Sequence, residues 1–204
     1  MSNVLVFGHQ NPDNDAIMSA VVLSQLLNRV EYQGNTYTAC CLGPLPAESA
    51  KLLEDAGVPA PTLIDAIEPA AGGAEPQQVV LTDHNEPGQS VAGLENAVIA
   101  GVVDHHRFGD FTTAAPLHIV ALPWGSSCSI VAKLFEVLGV EPTGTQAKLL
   151  LSAMMTDTLM LKSPTATAVD AAIAAKLGEQ LGVDPVKFGM EVFLTRPSGS
   201  FTAA

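Results

Sequence analysis

The chain has 204 residues, 48% of them apolar and 15% charged, which suits one generous domain with a substantial core and excludes a disordered chain. Its 21 acidic residues outnumber nine Lys and Arg, giving a formal net charge of −12. Such a chain repels nucleic acid and anionic membranes unless a bound cation reverses the local field.

The opening "MSNVLVFGHQ" lacks a basic segment and a long apolar run, so no signal peptide is expected, and no apolar stretch is long enough to span a membrane. "NVLVFG" reads as a buried strand stopped by Gly8. Helical spacing of apolar residues predicts a helix from Asp15 to Val30, then "TYTACCLG" a second strand and "PAESAKLLEDAG" a short helix closed by Gly57. "PAAGGAEPQQ" reads as an exposed loop. "VVLTDHNE" is a third strand, "AVIAGVVDHH" a fourth and "LHIVAL" a fifth. Helices follow over "SIVAKLFEVLG", "TQAKLLLSAMMTDTLML", "ATAVDAAIAAKLGEQLG" and "DPVKFGMEVFL". Cys40, Cys41 and Cys128 show no CxxC spacing and read as buried thiols in a reducing cytosol.

Strands alternating with helices imply an α/β fold: a parallel, doubly wound, Rossmann-like sheet of about five strands flanked by helices. The domain covers 1–194, and 195–204, "TRPSGSFTAA", loses periodicity and reads as a linker or tail. Three strands end in polar clusters, at His9, at Asp83 and at Asp104 to His106. Ligands of open α/β sheets bind beyond the carboxyl ends of the strands, so these clusters are expected to converge.

Each cluster has a plain reading as well as a functional one. Asp13 or Asp15 alone caps a helix, but a second acid and His9 in the same turn need a proton or cation between them. "TDHNEPGQS" alone is a polar turn; beside the first cluster it offers Asp83 as a carboxylate able to bridge two ions. "VVDHHRFGDF" offers one ligand histidine from His105 and His106, with Asp104 able to anchor a ligand histidine from behind. Arg107 and Lys162 are candidate contacts for an anionic substrate, or solvated ion pairs. Asp157, within an apolar run, is paired, capping or a ligand. "PWGSSCSIVAKLF" either holds a phosphate on a helix N-terminus or is capped by Ser126 or Ser127. No GxGxxG, P-loop or GxSxG elbow is present. Two histidines with four aspartates suit Mn²⁺, and also Co²⁺, Zn²⁺ or Mg²⁺, and they exceed the needs of one ion. Two ions sharing an aspartate lower the pKa of a bridging water and clamp a phosphoryl displacement.

The motifs "GHQNPDND", "DHNE", "DHHR" and "TDTLMLKSPTAT", in this order from Val4 to about Leu194, resemble the family II inorganic pyrophosphatases of the DHH phosphoesterase superfamily. The "NPD" and "DHNE" elements favour pyrophosphatase over the nuclease-like relatives. The resemblance implies that His9, Asp13 and Asp83 hold one Mn²⁺, and that Asp15, Asp83, His105 and Asp157 hold the other. It implies His106 as a catalytic group on the substrate phosphate, a bridging water or hydroxide as nucleophile, Mg²⁺ arriving with pyrophosphate, and a cytoplasmic homodimer. The family's C-terminal substrate-binding domain, with a basic "SRKKQ"-like segment, is not found in these residues, so slow turnover by this chain alone is expected. A further departure is Cys128 and Ser129, where the family more often has a Cys-Thr or Thr-rich loop. Alternatives are a DHH-type phosphodiesterase or exopolyphosphatase, and a metal-binding dimerisation domain with little turnover.

Overall fold

The structure, a computed structural model, describes residues 2–196. Of the stretch read as a linker or tail, only Thr195 and Arg196 fall among the described residues. The elements run β1 (Asn3–Phe7), α1 (Asn14–Arg29), β2 (Thr36–Cys41), α2 (Ala47–Asp55), β3 (Thr62–Leu63), β4 (Gln78–Thr82), β5 (Val98–Asp104) and β6 (His118–Ala121). Four helices follow: α3 (Ser127–Val137), α4 (Gly144–Asp157), α5 (Ala168–Leu181) and α6 (Pro185–Phe193).

The strands form one parallel sheet in the order β3-β2-β1-β4-β5-β6, the doubly wound order. Six strands replace the expected five or so; the extra one, β3, is two exposed residues long and too short to show a period. Chain direction across the sheet reverses between β1 and β4, which opens a crevice at their carboxyl ends.

Alternation along the strands divides the core in two. Val4, Val6, Val80 and Val103 face a cluster to which all six helices contribute, through residues such as Ile17, Leu53, Phe135, Leu150, Leu177 and Val192. Phe7, Val79, Leu81 and Val102 face the other way, onto Ile67, Val91 and Leu94. Ile67 comes from the β3–β4 connection, and Val91 and Leu94 from the β4–β5 connection, which carries only the short 3₁₀ turns Pro87–Gln89 and Leu94–Asn96. The sheet is therefore covered on both faces, by helices on one and by loop segments on the other.

Two local features place the site. Gly8 ends β1 where α1 passes so close that a Cβ on Gly8 would lie 2.5 Å from the Ala16 Cβ and 2.6 Å from its carbonyl oxygen. Later in the chain α4 stops at Asp157, four residues short of the stretch that the apolar pattern suggested. Leu159, Met160 and Leu161 have φ of 48°, 54° and 63°, so three successive left-handed residues turn the chain back. Such residues cost about 1–2 kcal/mol each. The Thr158 hydroxyl accepts from the Leu161 N–H, the Thr158 carbonyl accepts from Lys162 and Ser163, and Met160 and Leu161 pack on the helical core, which offsets that cost.

Gly8→Ala is expected to lower the unfolding free energy by about 1–3 kcal/mol, read from the urea midpoint at constant m-value. A loss under about 0.5 kcal/mol, the range of ordinary surface changes, would contradict so close an approach of α1 to β1.

Candidate metal centre

The crevice gathers the polar ends of the strands. His9 lies two residues beyond β1, Asp83 directly follows β4, and Asp104 ends β5 ahead of His105 and His106. Asp13 and Asp15 enter from the start of α1, and Asp157 from the last position of α4. The His9 Nε2 lies 3.8 Å from an Asp13 oxygen and 3.5 Å from the Asp83 Oδ2. The His105 Nε2 lies 3.2 Å from the Asp83 Oδ1 and 3.6 Å from the Asp157 Oδ2. Ligand atoms of His9, Asp13 and Asp83 lie within 4.8 Å of one another, as do those of Asp15, His105 and Asp157, and those of Asp83, His105 and His106. The two oxygens of Asp83 thus face different histidines.

Each imidazole is aimed by its Nδ1. His9 donates to the Gln10 carbonyl at 2.7 Å and His105 to the Trp124 carbonyl at 3.0 Å, which leaves both Nε2 atoms directed at the carboxylates. His106 is held differently: its Nδ1 and backbone N–H both meet the Asp104 Oδ1, at 2.9 and 3.0 Å. Asn85 donates to the other oxygen of the buried Asp104 at 2.6 Å. Asp104 therefore anchors His106, while the histidine nearest Asp157 is anchored by a backbone carbonyl.

The helix termini settle two open alternatives. Asp13 is the N-cap of α1, accepting from the Ala16 N–H at 2.9 Å, and it still faces His9. Ser126 is the N-cap of α3, and the anion at that helix end is internal. Asp15 accepts from the Ser126 hydroxyl at 2.7 Å and from the Ser127 and Cys128 N–H groups at 2.6 and 3.0 Å. The Ser127 hydroxyl reaches the Asp83 Oδ1 at 3.0 Å.

The electrostatics are those of a cation site. Burial, then the charge of Asp83, pushes the carboxyls of Asp13 and Asp15 up, Asp15 to about 7. Burial, then Asp15 and Asp83, raises Asp157 to about 9. Burial by itself lowers an imidazole, yet Asp83, followed by Asp13 and the Gln10 carbonyl, raises His9 to about 9. His105 rises likewise, against its burial, through Asp83, Asp15 and Asp157. Asp83 moves the other way: burial pushes it up, but His105 and His9 hold it well below the usual carboxylate range. Without a metal the cluster keeps protons to limit repulsion among its acids. Carboxylates with imidazoles in three groups, two of which include Asp83, are a donor set that suits divalent ions of the Mn²⁺ type.

The expected substrate cations are exposed. Arg107 is 88% exposed and pairs with Glu86 at 3.4 Å. Lys162 is exposed on the turn after Asp157. Several contributors escaped the sequence reading. Asn14 is buried between the two acids of α1, accepts from Ser49 at 2.9 Å and donates to Ser152 and Thr156 at 3.3 Å, tying α1 to α2 and α4. Asp170 closes a capping box with Thr167 and also accepts from the Gly125 N–H and the Ser129 hydroxyl, which fixes the first turn of α3 beneath Asp15. The Thr167-x-x-Asp170 spacing signals the cap; nothing in it signals the reach to α3.

The chain as a whole is similar to known proteins. The family model described as "DHH family, N-terminal domain" matches residues 3–161. A protein of Streptococcus agalactiae serotype Ia named "Probable manganese-dependent inorganic pyrophosphatase" is 44% identical over 192 residues, covering 94% of this chain and 60% of that relative. Its serotype III counterpart carries the same name and matches to the same extent. Among solved structures, one described as "Methanococcus jannaschii putative family II inorganic pyrophosphatase" has a TM-score of 0.80 at 34% identity, covering 95% of this chain and 61% of that one. An exopolyphosphatase-related protein from Bacteroides fragilis shares the fold, with a TM-score of 0.70 at 18% identity over 97% of this chain and 57% of that one. The chain spans about 60% of the length of the curated relatives it matches.

The shifted groups set a pH dependence. The folded, metal-free chain keeps a proton on Asp157 from the ordinary carboxylate range up to about pH 9 and on Asp15 up to about 7, and above about pH 6.5 it also keeps those of His9 and His105, all of which the unfolded chain has lost, so the unfolded state binds fewer protons and stability falls as pH rises. Burial lowers His84, which works in the opposite direction below the ordinary imidazole value. The same protons must leave for a metal to bind, so Mn²⁺ affinity rises over that range. Thermal melts with and without Mn²⁺ are expected to diverge with rising pH; parallel curves would contradict this charge arrangement.

Proposed function

The chain belongs to the DHH family, of which it carries the N-terminal domain, and we propose that it is the metal-binding half of a manganese-dependent inorganic pyrophosphatase. The observation that carries this reading is Asp83. It stands in the left-handed backbone region with φ of 60°, one oxygen toward His9 and the other toward His105. A strained backbone at the meeting point of two ligand groups marks a shared ligand. His9, Asp13 and Asp83 hold one Mn²⁺, and Asp15, Asp83, His105 and Asp157 the other; Co²⁺ or Mg²⁺ suits the same donors. Manganese bound there supplies Lewis acidity, which lowers the pKa of a water and offsets charge on phosphoryl oxygens.

The protein's own groups do the rest. Asp83, nearly fully buried, keeps its charge through His105 and His9 and so remains free of a proton. The hydrogen bond that His106 donates to Asp104, ahead of the opposing effect of burial, raises the His106 pKa and fixes its Nδ1–H. The His106 side chain is half exposed, so a protonated Nε2 meets an incoming pyrophosphate and donates to the departing phosphate. Arg107 and Lys162 are further substrate contacts on this reading, Arg107 after release from Glu86, and Mg²⁺ accompanies the substrate.

A homodimer is proposed through the edge of the sheet, where β6 has one unpaired side and Ile119 is 45% exposed. Among the described residues no helix is long and apolar enough to cross a membrane, and the three cysteines are free and buried; a cytoplasmic setting accords with reduced thiols. Nucleic acid is disfavoured as a partner by the charge of −12.

Phosphate release from pyrophosphate, compared with cleavage of a dinucleotide and of a longer polyphosphate, tests the reading: Mn²⁺-dependent preference for pyrophosphate is expected. Preference for the dinucleotide would assign a phosphodiesterase, and metal binding without turnover a structural module. His106→Gln is expected to retain about two ions per chain and lose about 10²–10⁴ in turnover. His105→Gln is expected to lose about 10–100-fold in metal affinity. Equal loss of metal in both variants would refute the division of roles.

A further inference from the structure

His84 is 1% exposed and belongs to none of the ligand groups, yet both of its ring nitrogens are engaged. Its Nδ1 donates to the Thr82 carbonyl at 2.8 Å, so its Nε2 accepts from the Ser90 hydroxyl at 3.0 Å. The first bond bears on Asp83 directly. The Thr82 carbonyl and the Asp83 N–H belong to one peptide unit, and the orientation of that unit sets the φ of Asp83. Its carbonyl is held by His84, and its N–H donates to the Val103 carbonyl at 3.0 Å. The left-handed φ of 60° at Asp83 is thus clamped from both sides of the preceding peptide.

The second bond reaches the other ligand of the same group. The Ser90 carbonyl accepts from the side-chain amide of Gln10, and the Gln89 carbonyl accepts from the Gln10 N–H at 2.8 Å. The Gln10 carbonyl in turn accepts from the His9 Nδ1 at 2.7 Å. A continuous hydrogen-bonded path therefore joins Thr82, His84, Ser90, Gln10 and His9, and its two ends are the supports of Asp83 and His9, whose ligand atoms stand 3.5 Å apart.

We propose that His84 is a positioning residue of the dinuclear centre: its Nδ1 holds Asp83 in the bridging conformation, and its Nε2, through Ser90 and Gln10, sets His9 against Asp83. This rests on the dinuclear reading above. A buried His that merely fills space would leave the metals indifferent to which of its two bonds is removed. A positioning His makes the two bonds separable, because only the first acts on the residue shared by both ions.

Mn²⁺ titration of the full chain, followed by electron paramagnetic resonance for the spin-coupled pair, reads this without any assay of turnover. His84→Leu removes both bonds and is expected to abolish the coupled signal and weaken binding by about 10–100-fold. His84→Asn retains an N–H for the Thr82 carbonyl and is expected to recover the coupled signal. Ser90→Ala removes only the second bond and is expected to weaken one ion by about tenfold, with the profile of His9→Ala in milder form. Metal-free melting temperatures are measured alongside. Wild-type affinities and coupling in His84→Leu and Ser90→Ala would overturn the proposal, and so would losses that merely track the fall in metal-free melting temperature. Should His84→Leu fail to fold, His84→Asn and Ser90→Ala decide it: matching, selective weakening of one ion with the coupled signal kept at saturation supports the path, and unchanged binding refutes it. A wild-type chain binding fewer than two ions would sink the dinuclear reading itself, and this inference with it.

Discussion

Repulsion among buried carboxylates is the constraint on which the rest of this molecule depends. Asp13, Asp15, Asp83 and Asp157 crowd one end of the sheet, and Asp15 and Asp83 are almost wholly withdrawn from water. Isolated charges in such a place are costly by several kcal/mol each. The fold answers with donors built into its framework. The start of α3 supplies two N–H groups and a hydroxyl to Asp15, α1 supplies an N–H to Asp13, and two histidines flank Asp83. What those donors do not neutralise is left as shifted protonation, and a divalent cation exchanges for it. The pattern is one of acids arranged for a partner that the polypeptide alone does not provide.

The sheet order makes the crowding possible. Reversal of winding between β1 and β4 leaves their carboxyl ends free of a crossover, and the first turn of α1 fills part of the opening. The close passage of α1 over Gly8 then brings Asp13 and Asp15 within reach of strands they do not belong to. Asn14, between those two acids, is buried and bonded to α2 and α4. Consecutive residues at the start of α1 thus alternate between clustered carboxylate and structural bolt, and the α4 bolt, Thr156, directly precedes Asp157. Positions of carboxylates from distant parts of the chain are coupled by side-chain hydrogen bonds of their sequence neighbours.

Much of this was legible in the chain. Alternation of strand and helix, with acids at three strand ends, pointed to a parallel sheet with a site at one edge, and the clusters do meet there. The rest was illegible for physical reasons. The strand β3 is two residues long, below any period. The end of α4 was hidden because Leu159, Met160 and Leu161 continue the helical spacing of apolar residues while adopting left-handed backbone, a choice made by packing and by Thr158. The anchor of His105 is a backbone carbonyl, which carries no residue signature. The serine loop before α3 had the composition of an anion site, and it is one, but the anion is Asp15, more than a hundred residues upstream. Sequence spacing reports which groups are polar at an element's end; it does not report which of them satisfy one another.

On the proposed reading the same charge logic bears on the substrate. Four carboxylates offset the charge of two divalent ions, so the loaded centre presents little net positive field to a multiply charged pyrophosphate. Attraction must come from elsewhere. Arg107, the cation nearest by sequence, is turned to solvent and held by Glu86, and the domain as a whole is strongly acidic. Mg²⁺ bound to the pyrophosphate meets that need, because it lowers the substrate's charge before contact and adds a cation where phosphoryl charge develops. His106 then has a defined task. It is the one half-exposed imidazole in the group, its Nδ1 is locked to a buried carboxylate, and its remaining nitrogen is free to carry a proton to the departing oxygen. A centre built to neutralise itself has its specificity in what approaches it: a phosphate already bearing a metal, small enough to reach His106 past the rim of acids, and too short to demand the positive groove that nucleic acids require.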